Sequence, residues 1–192
     1  MSAEQQMLPA LARSAIEHAL GAKPDSHRQA LPHQGAVMDE QDWLQAHGAS
    51  FVTLTWQGRL RGCIGTLEAH RPLRLDIESN AVAAALRDPR FMPLRQSELA
   101  GIRVEVSLLS APEALPFGCE ADALAQLHPG LDGILLEYGP SRSTFLPQVW
   151  DQLPAPAEFL FQLKRKAGLP GDFWHPALSL QRYTVAKFKE NA

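Results

Sequence analysis

In the run Leu60-Arg61-Gly62-Cys63-Ile64-Gly65 a thiol stands two residues from a guanidinium. The run follows a tight turn at Gln57-Gly58-Arg59, and before the turn comes Phe51-Val52-Thr53-Leu54-Thr55-Trp56. That β-branched and aromatic stretch reads as a strand, which makes the six residues the return strand of a hairpin. Side chains alternate faces along a strand, so Leu60 and Ile64 are expected on one face and Arg61 and Cys63 on the other. A cation beside a thiol favours the thiolate, the form that attacks electrophiles and binds soft ligands. The competing reading of Cys63 is a small buried filler, since free cysteine packs like an apolar residue. Gly62 and Gly65 remove bulk on either side of it, which suits a bulge or the close approach of a ligand or another backbone.

Three further side chains join this group. Glu105 alternates with Val104 and Val106 in a strand pattern, and is expected to pair with Arg61 or serve as a base, unless it simply faces solvent. Asp88-Pro89-Arg90-Phe91 ends a helical stretch, where the helix dipole disfavours the Asp88 carboxylate. Arg87 or Arg90 is expected to compensate it and Phe91 to anchor the turn. The second reading of Arg90 is an anion clamp at a cleft rim. Asn80, polar on an alanine-rich helix, is expected either to reach a ligand or to cap a neighbouring loop. No metal site is expected: the seven histidines form no helical i, i+4 pair, and neither HExxH nor CxxC occurs. P-loop, dinucleotide and serine-elbow signatures are missing too, so no cofactor is expected.

The elements that must position these residues follow from periodicity. Residues 5–20 carry a helical stripe ending near Gly21, and residues 22–41 read as a polar linker. Asp42-Trp43-Leu44 opens a short helical turn. Strands are expected at 51–57 and 60–66. A helix starting on Pro72 runs to Arg87, with Leu73, Ile77, Ala81, Ala84 and Ala85 inward. A strand spans 102–110. The order then recurs: strand 133–138, a turn at Gly139-Pro140-Ser141, a return strand to Leu146, helix 156–167 capped by Gly168, and a last strand from Leu178 to Phe188. Hairpin, helix and strand thus occur twice, about 80 residues apart. The class this implies is α+β, with a mixed or largely antiparallel sheet flanked by helices, and a cleft between the two halves is the expected place for a ligand.

The chain has 192 residues, 45% of them apolar and 20% charged, with a net charge of −3. That suits one domain (1–192), or two subdomains at about 47–112 and 113–190 with an N-terminal helix at 5–20. No basic stripe is present, which disfavours nucleic acid. No apolar run approaches the roughly 20 residues of a membrane span, and the N-terminus lacks signal-peptide character. Two cysteines, Cys63 and Cys119, make no disulfide framework, so the expected setting is reduced and cytoplasmic.

Several blocks resemble one family. Gly48-Ala49-Ser50-Phe51-Val52-Thr53-Leu54 leading into Leu60–Gly65 is similar to the signature of the AMMECR-type domain, also called AmmeMemoRadiSam system protein A. The likeness continues through Arg87–Phe91, Val104–Ser110, Phe145–Val149, Lys166-Ala167-Gly168-Leu169 and Tyr183–Phe188, in family order. Where the family usually has His-Gly this chain has Asp132-Gly133, so no role of that histidine carries over. The resemblance implies an AMMECR-like α+β fold, two subdomains around a curved, mixed sheet, and a site at the Cys63 run, but no defined reaction. The family's prokaryotic name implies a shared pathway with a Memo-type protein and a radical S-adenosylmethionine enzyme. Two functional readings stand. One is a cleft that binds a small anionic molecule through Arg61, Gly62, Gly65, Asn80 and Arg90, with Cys63 and Glu105 as catalytic groups if chemistry follows. The other is a non-catalytic interaction module of the same system.

Overall fold

A computed structural model describes residues 3–21 and 42–190; the linker expected at 22–41 lies outside the described residues. The architecture is α+β, with two open sheets of four strands each. The chain divides into two compact units, one formed by residues 1–109 and 186–192 and the other by 110–185.

In the first unit, α1 (Ala3–Ala19) and the short α2 (Asp42–Gln45) precede the hairpin of β1 (Ala49–Trp56) and β2 (Arg59–Gly65). Gln57 and Gly58 both have positive φ, 48° and 77°. This is the backbone sense that a two-residue hairpin turn needs to match strand twist. Helix α3 (Leu73–Leu86) and β3 (Ile102–Leu109) follow. The sheet order is β2-β1-β3-β8, with β1 antiparallel to both β2 and β3 and with β8 spanning Val185–Lys189. Val52, Leu54, Val104 and Val106 face Leu8, Ile16, Ile77, Ala81 and Ala84 in one apolar core. Pro72 precedes the first helical residue instead of occupying it. The expected inner stripe of α3 is buried, and Asp76 and Asn80 are buried with it.

In the second unit, β4 (Glu113–Ala114) and α4 (Glu120–Ala125) lead to the hairpin of β5 (Gly133–Tyr138) and β6 (Ser141–Phe145). Helix α5 (Pro156–Lys166) and β7 (Ser179–Tyr183) complete it, in sheet order β4-β7-β5-β6. Phe159, Leu160 and Leu163 pack with Ile134, Leu136, Trp150 and Leu180. Gly168 ends α5 at φ 80°. The last strand expected at 178–188 is two strands: the chain leaves the second sheet after Tyr183 and pairs in the first from Val185. Neither β4 nor α4 is legible in the hydrophobic pattern. No described helix is long and apolar enough to cross a membrane.

Candidate functional site

Cys63 lies opposite Thr53 on β1, and Thr53 lies opposite Glu105 on β3. Cross-strand partners share a face. This row therefore points away from α3, because its neighbours Gly62 and Ile64 turn toward the core. The Thr53 hydroxyl donates to Cys63 Sγ at 3.4 Å. Cys63 is half-buried and free. Glu105 stands two strands from Cys63, about 10 Å at the backbone.

The expected Arg61–Glu105 pair is not formed. The register shifts between Leu54 and Thr55, so Leu54 faces Gly62 while Thr55 faces Leu60 and Arg61 is an extra, bulged residue. A bulge re-aims the side chain it carries. Arg61 donates through Nε and Nη2 to Glu98 at 3.2 Å, and through Nη1 to the Met92 carbonyl at 2.9 Å. Its bond to Glu98 holds that carboxyl below its ordinary range. All three guanidinium nitrogens of Arg61 therefore have protein acceptors. Glu105 instead pairs with Lys189 at 3.1 Å.

The cation beside Cys63 is Arg90. Its Nη2 donates to the Cys63 carbonyl at 3.0 Å and to Asp88 Oδ2 at 2.7 Å, while Nε donates to Asp88 Oδ1 at 2.9 Å. Asp88 also accepts the Cys63 backbone N–H at 2.8 Å. The Asp88 carboxylate is 1% exposed and the Arg90 side chain 53%. The Arg90 hydrogen bond, followed by the Cys63 amide, holds the Asp88 carboxyl far below its usual range, against the opposing effect of burial. Asp88 in turn raises the Arg90 guanidinium above its ordinary value, and interaction with Cys63 adds to the rise. Arg90 thus answers the helix-end carboxylate as expected. Phe91 does not anchor the turn in the core: its ring lies under the Arg90 guanidinium, 5.5 Å from centroid to carbon, and Leu94 is the buried anchor.

The two glycines have structural neighbours. A Cβ on Gly62 would lie 2.1 Å from the Ala84 carbonyl oxygen, so it is α3 that approaches there. A Cβ on Gly65 would meet the Phe51 ring at 2.2 Å. Asn80 is turned away from Cys63. Its Nδ2 donates to the Ser50 carbonyl at 3.0 Å and to Asp76 Oδ2 at 2.9 Å. Asp76 collects the Ser50 amide at 2.9 Å, the Ser50 hydroxyl at 2.7 Å, Arg71 Nε at 2.9 Å and the Thr66 hydroxyl. This network ties β1, β2 and α3 together. Its signal in the sequence is two polar residues, i and i+4, on the inward stripe of α3. Among the described residues no group of three His, Cys, Asp or Glu could hold a metal ion.

The site is therefore a half-buried thiol on an outermost β strand, bracketed by a carboxylate–guanidinium pair from the turn after a helix, in a two-sheet α+β protein. The AMMECR1 family model matches residues 9–188, and the chain belongs to that family. It is 38% identical over 195 residues to a protein of Methanothermobacter thermautotrophicus, across 98% of this chain and 95% of that one. It is 36% identical to a Thermotoga maritima protein, across 78% of this chain and 82% of the relative. Among solved structures, an uncharacterised protein from Pyrococcus horikoshii superposes with a TM-score of 0.77 at 31% identity, covering 100% of this chain and 94% of its own.

Proposed function

We propose that this protein binds a small anionic molecule at Arg90 and Cys63, and that the Cys63 thiol takes part in what happens to it. The observation that carries the reading is the state of Arg90. Its guanidinium is more than half exposed, locked in place by Asp88, and in contact with Cys63. Its exposed edge is a charged donor surface suited to a carboxylate or phosphate. Thr53 and Glu105, on the same face, would line the approach, with Glu105 held by Lys189. Two free cysteines suit a reduced, cytoplasmic setting. A pathway shared with Memo-type and radical S-adenosylmethionine proteins is part of the same proposal and rests on family resemblance.

The test is peptide-resolved alkylation with iodoacetamide across pH. Cys63 is expected to react faster than Cys119, which is exposed on the second unit. Arg90→Met is expected to slow Cys63 by about threefold, the worth of a partly exposed charge. Inorganic phosphate or short carboxylates should protect Cys63 and leave Cys119 unchanged. Cys63 reacting no faster than Cys119, or reacting only on unfolding, would sink the thiol part of the reading. A second reading, a docking module, draws on Leu60 (45% exposed) and Met92 (78%), apolar side chains next to Arg61 in the chain and at its Nη1 contact. In that case Leu60→Ser with Met92→Ser would abolish co-purification with a Memo-type or radical S-adenosylmethionine partner, and Cys63→Ser would not.

A further inference from the structure

An outermost strand presents a row of unpaired N–H and C=O groups, a template for pairing with another chain. β2 is such a strand, and among the described residues no further strand pairs with it. At Cys63 both backbone groups point away from β1. Asp88 takes the N–H at 2.8 Å and Arg90 supplies a donor to the carbonyl at 3.0 Å. One residue of a neighbouring antiparallel strand would offer the same acceptor and donor to Cys63. The two side chains are bound to each other, and Asp88 Oδ1 also accepts the Arg90 amide at 3.1 Å, so the pair is fixed within a three-residue turn. Further along β2, Arg61 grips the Met92 carbonyl and Glu98, which ties the segment from 88 to 98 to this strand.

The second unit repeats the device with different residues. Counted back from the turn, the residue facing the fourth-from-last position of β1 is Cys63, and the residue facing the fourth-from-last position of β5 is Thr144 on β6. β6 is also an outermost strand. The Thr144 carbonyl accepts from Lys166 Nζ at 2.9 Å, a cation at the end of α5 that also lies 5.0 Å over the Phe145 ring. Two unrelated sequences thus place a cation from the helix end on the same outward carbonyl.

We infer that the Asp88–Arg90 pair stands in for a fifth strand and keeps β2 from pairing with the β2 of a second copy of this chain. A second copy is the fitting occupant because two identical outermost strands can pair antiparallel about a two-fold axis, each presenting the same groups to the other. β2 itself has no proline to prevent it, and exposed Leu60 would bring apolar surface to the contact.

The test compares wild type with Asp88→Ala/Arg90→Ala. Sedimentation velocity over a concentration series should show one mass for wild type, and a shift to dimers or larger species with an intermolecular β infrared band for the double variant. A synthetic Arg59–Gly65 peptide carrying Cys63→Ser should bind the double variant at least about tenfold more tightly than wild type, the worth of one or two backbone hydrogen bonds. A scrambled peptide should bind neither. The inference is overturned if the double variant folds, by circular dichroism, and keeps wild-type mass and peptide affinity. Equal binding of the scrambled peptide overturns it as well. Should the double variant not fold, Arg90→Ala alone decides, because that side chain is half exposed and outside the core. Tighter peptide binding by Arg90→Ala supports the inference, and unchanged binding refutes it.

Discussion

Replacing Gly62 by alanine tests whether the bare position serves a ligand or the fold. The added Cβ would sit 2.1 Å from the Ala84 carbonyl oxygen and 3.0 Å from its carbon, whereas Cβ atoms in proteins essentially never come under 3.0 Å of a neighbour. The obstacle is backbone, so no rotamer change relieves it. Strand and helix must part by nearly an ångström, and the apolar seam of Ile77, Ala81, Ala84 and Ala85 on Val52 and Leu54 parts with them. A gap of about 0.5–1 Å forfeits roughly a quarter to a half of each dispersion contact. Overpacking of this kind costs about 1–3 kcal/mol, and a backbone obstacle places Gly62→Ala at or above the top of that range. For a chain of this size about 3 kcal/mol corresponds to a Tm lower by roughly 6–12 °C. Gly58→Ala is the control: nothing lies within 4 Å of its Cβ, and only its φ of 77° opposes the change. That costs about 1 kcal/mol. The assay is urea and thermal unfolding followed by circular dichroism, with amide exchange on β1 and β2 to localise the loss. If Gly62→Ala matches wild type within about 0.5 kcal/mol while Cys63 loses its reactivity or its protection by anions, the glycine serves a ligand and the packing argument fails.

Two other perturbations have signs that follow from the bonding. The Asp88 carboxyl is held far below its ordinary range in the folded protein, so its ionised form stabilises the fold above the unfolded value, near pH 4, and that contribution drains away as pH falls. The stability gap between wild type and Asp88→Asn, measured by urea midpoints, should be constant around neutrality and shrink steadily below about pH 4; a gap that holds its size in acid contradicts the assignment. Asp76→Ala would orphan the Ser50 amide and hydroxyl in the core, at about 1–3 kcal/mol each, while the Asn80 amide keeps the Ser50 carbonyl and the Thr66 hydroxyl as acceptors. A loss below about 2 kcal/mol would show that water or rearrangement satisfies those donors.

Periodicity located most of the strands and helices because burial imposes it, and it failed wherever order across the sheet mattered. Alternation along two strands put Arg61, Cys63 and Glu105 on one face. It carried no information that β1 lies between β2 and β3, which separates Glu105 from the thiol by two strand spacings. Nor could it reveal the bulge that turns Arg61 toward Glu98, since an inserted residue is visible only against a partner strand. The Asp88 signal was local, a carboxylate at the wrong end of a helix, and so the ion pair to Arg90 was legible. What stayed hidden was that this pair also holds the backbone of Cys63. The run from Leu178 to Phe188 has continuous strand character, and nothing in its pattern marks Thr184 as the point where it passes from one sheet to the other.

The repeated topology supplies an internal comparison for Cys63. In the first unit the hairpin and third strand stand in the order β2-β1-β3, and in the second β6-β5-β7, with both pairs antiparallel in each. The cross-strand row through Cys63 reads Cys63, Thr53, Glu105, and the row at the same distance from the turn in the second unit reads Thr144, Leu135, Gln181. The architecture therefore tolerates a row with no thiol, no carboxylate and an apolar centre. Thr144 is buried and shares a hydrogen bond of 2.9 Å with the Tyr183 hydroxyl, a packing solution complete in itself. Cys63 has no such closure: its partner is a hydroxyl at 3.4 Å, and its cationic neighbour is half open to water. A thiol needed only for packing would be expected to take the buried form that the second unit shows possible. Exchanging Cys63 for threonine puts this to the test, because the two side chains are close in size and the fold already accepts threonine at the equivalent place. Stability should change by less than about 1 kcal/mol, and any thiol-dependent activity or alkylation at this position should vanish. A loss of several kcal/mol would instead mark Cys63 as a packing residue, and the difference between the two rows would then carry no functional meaning.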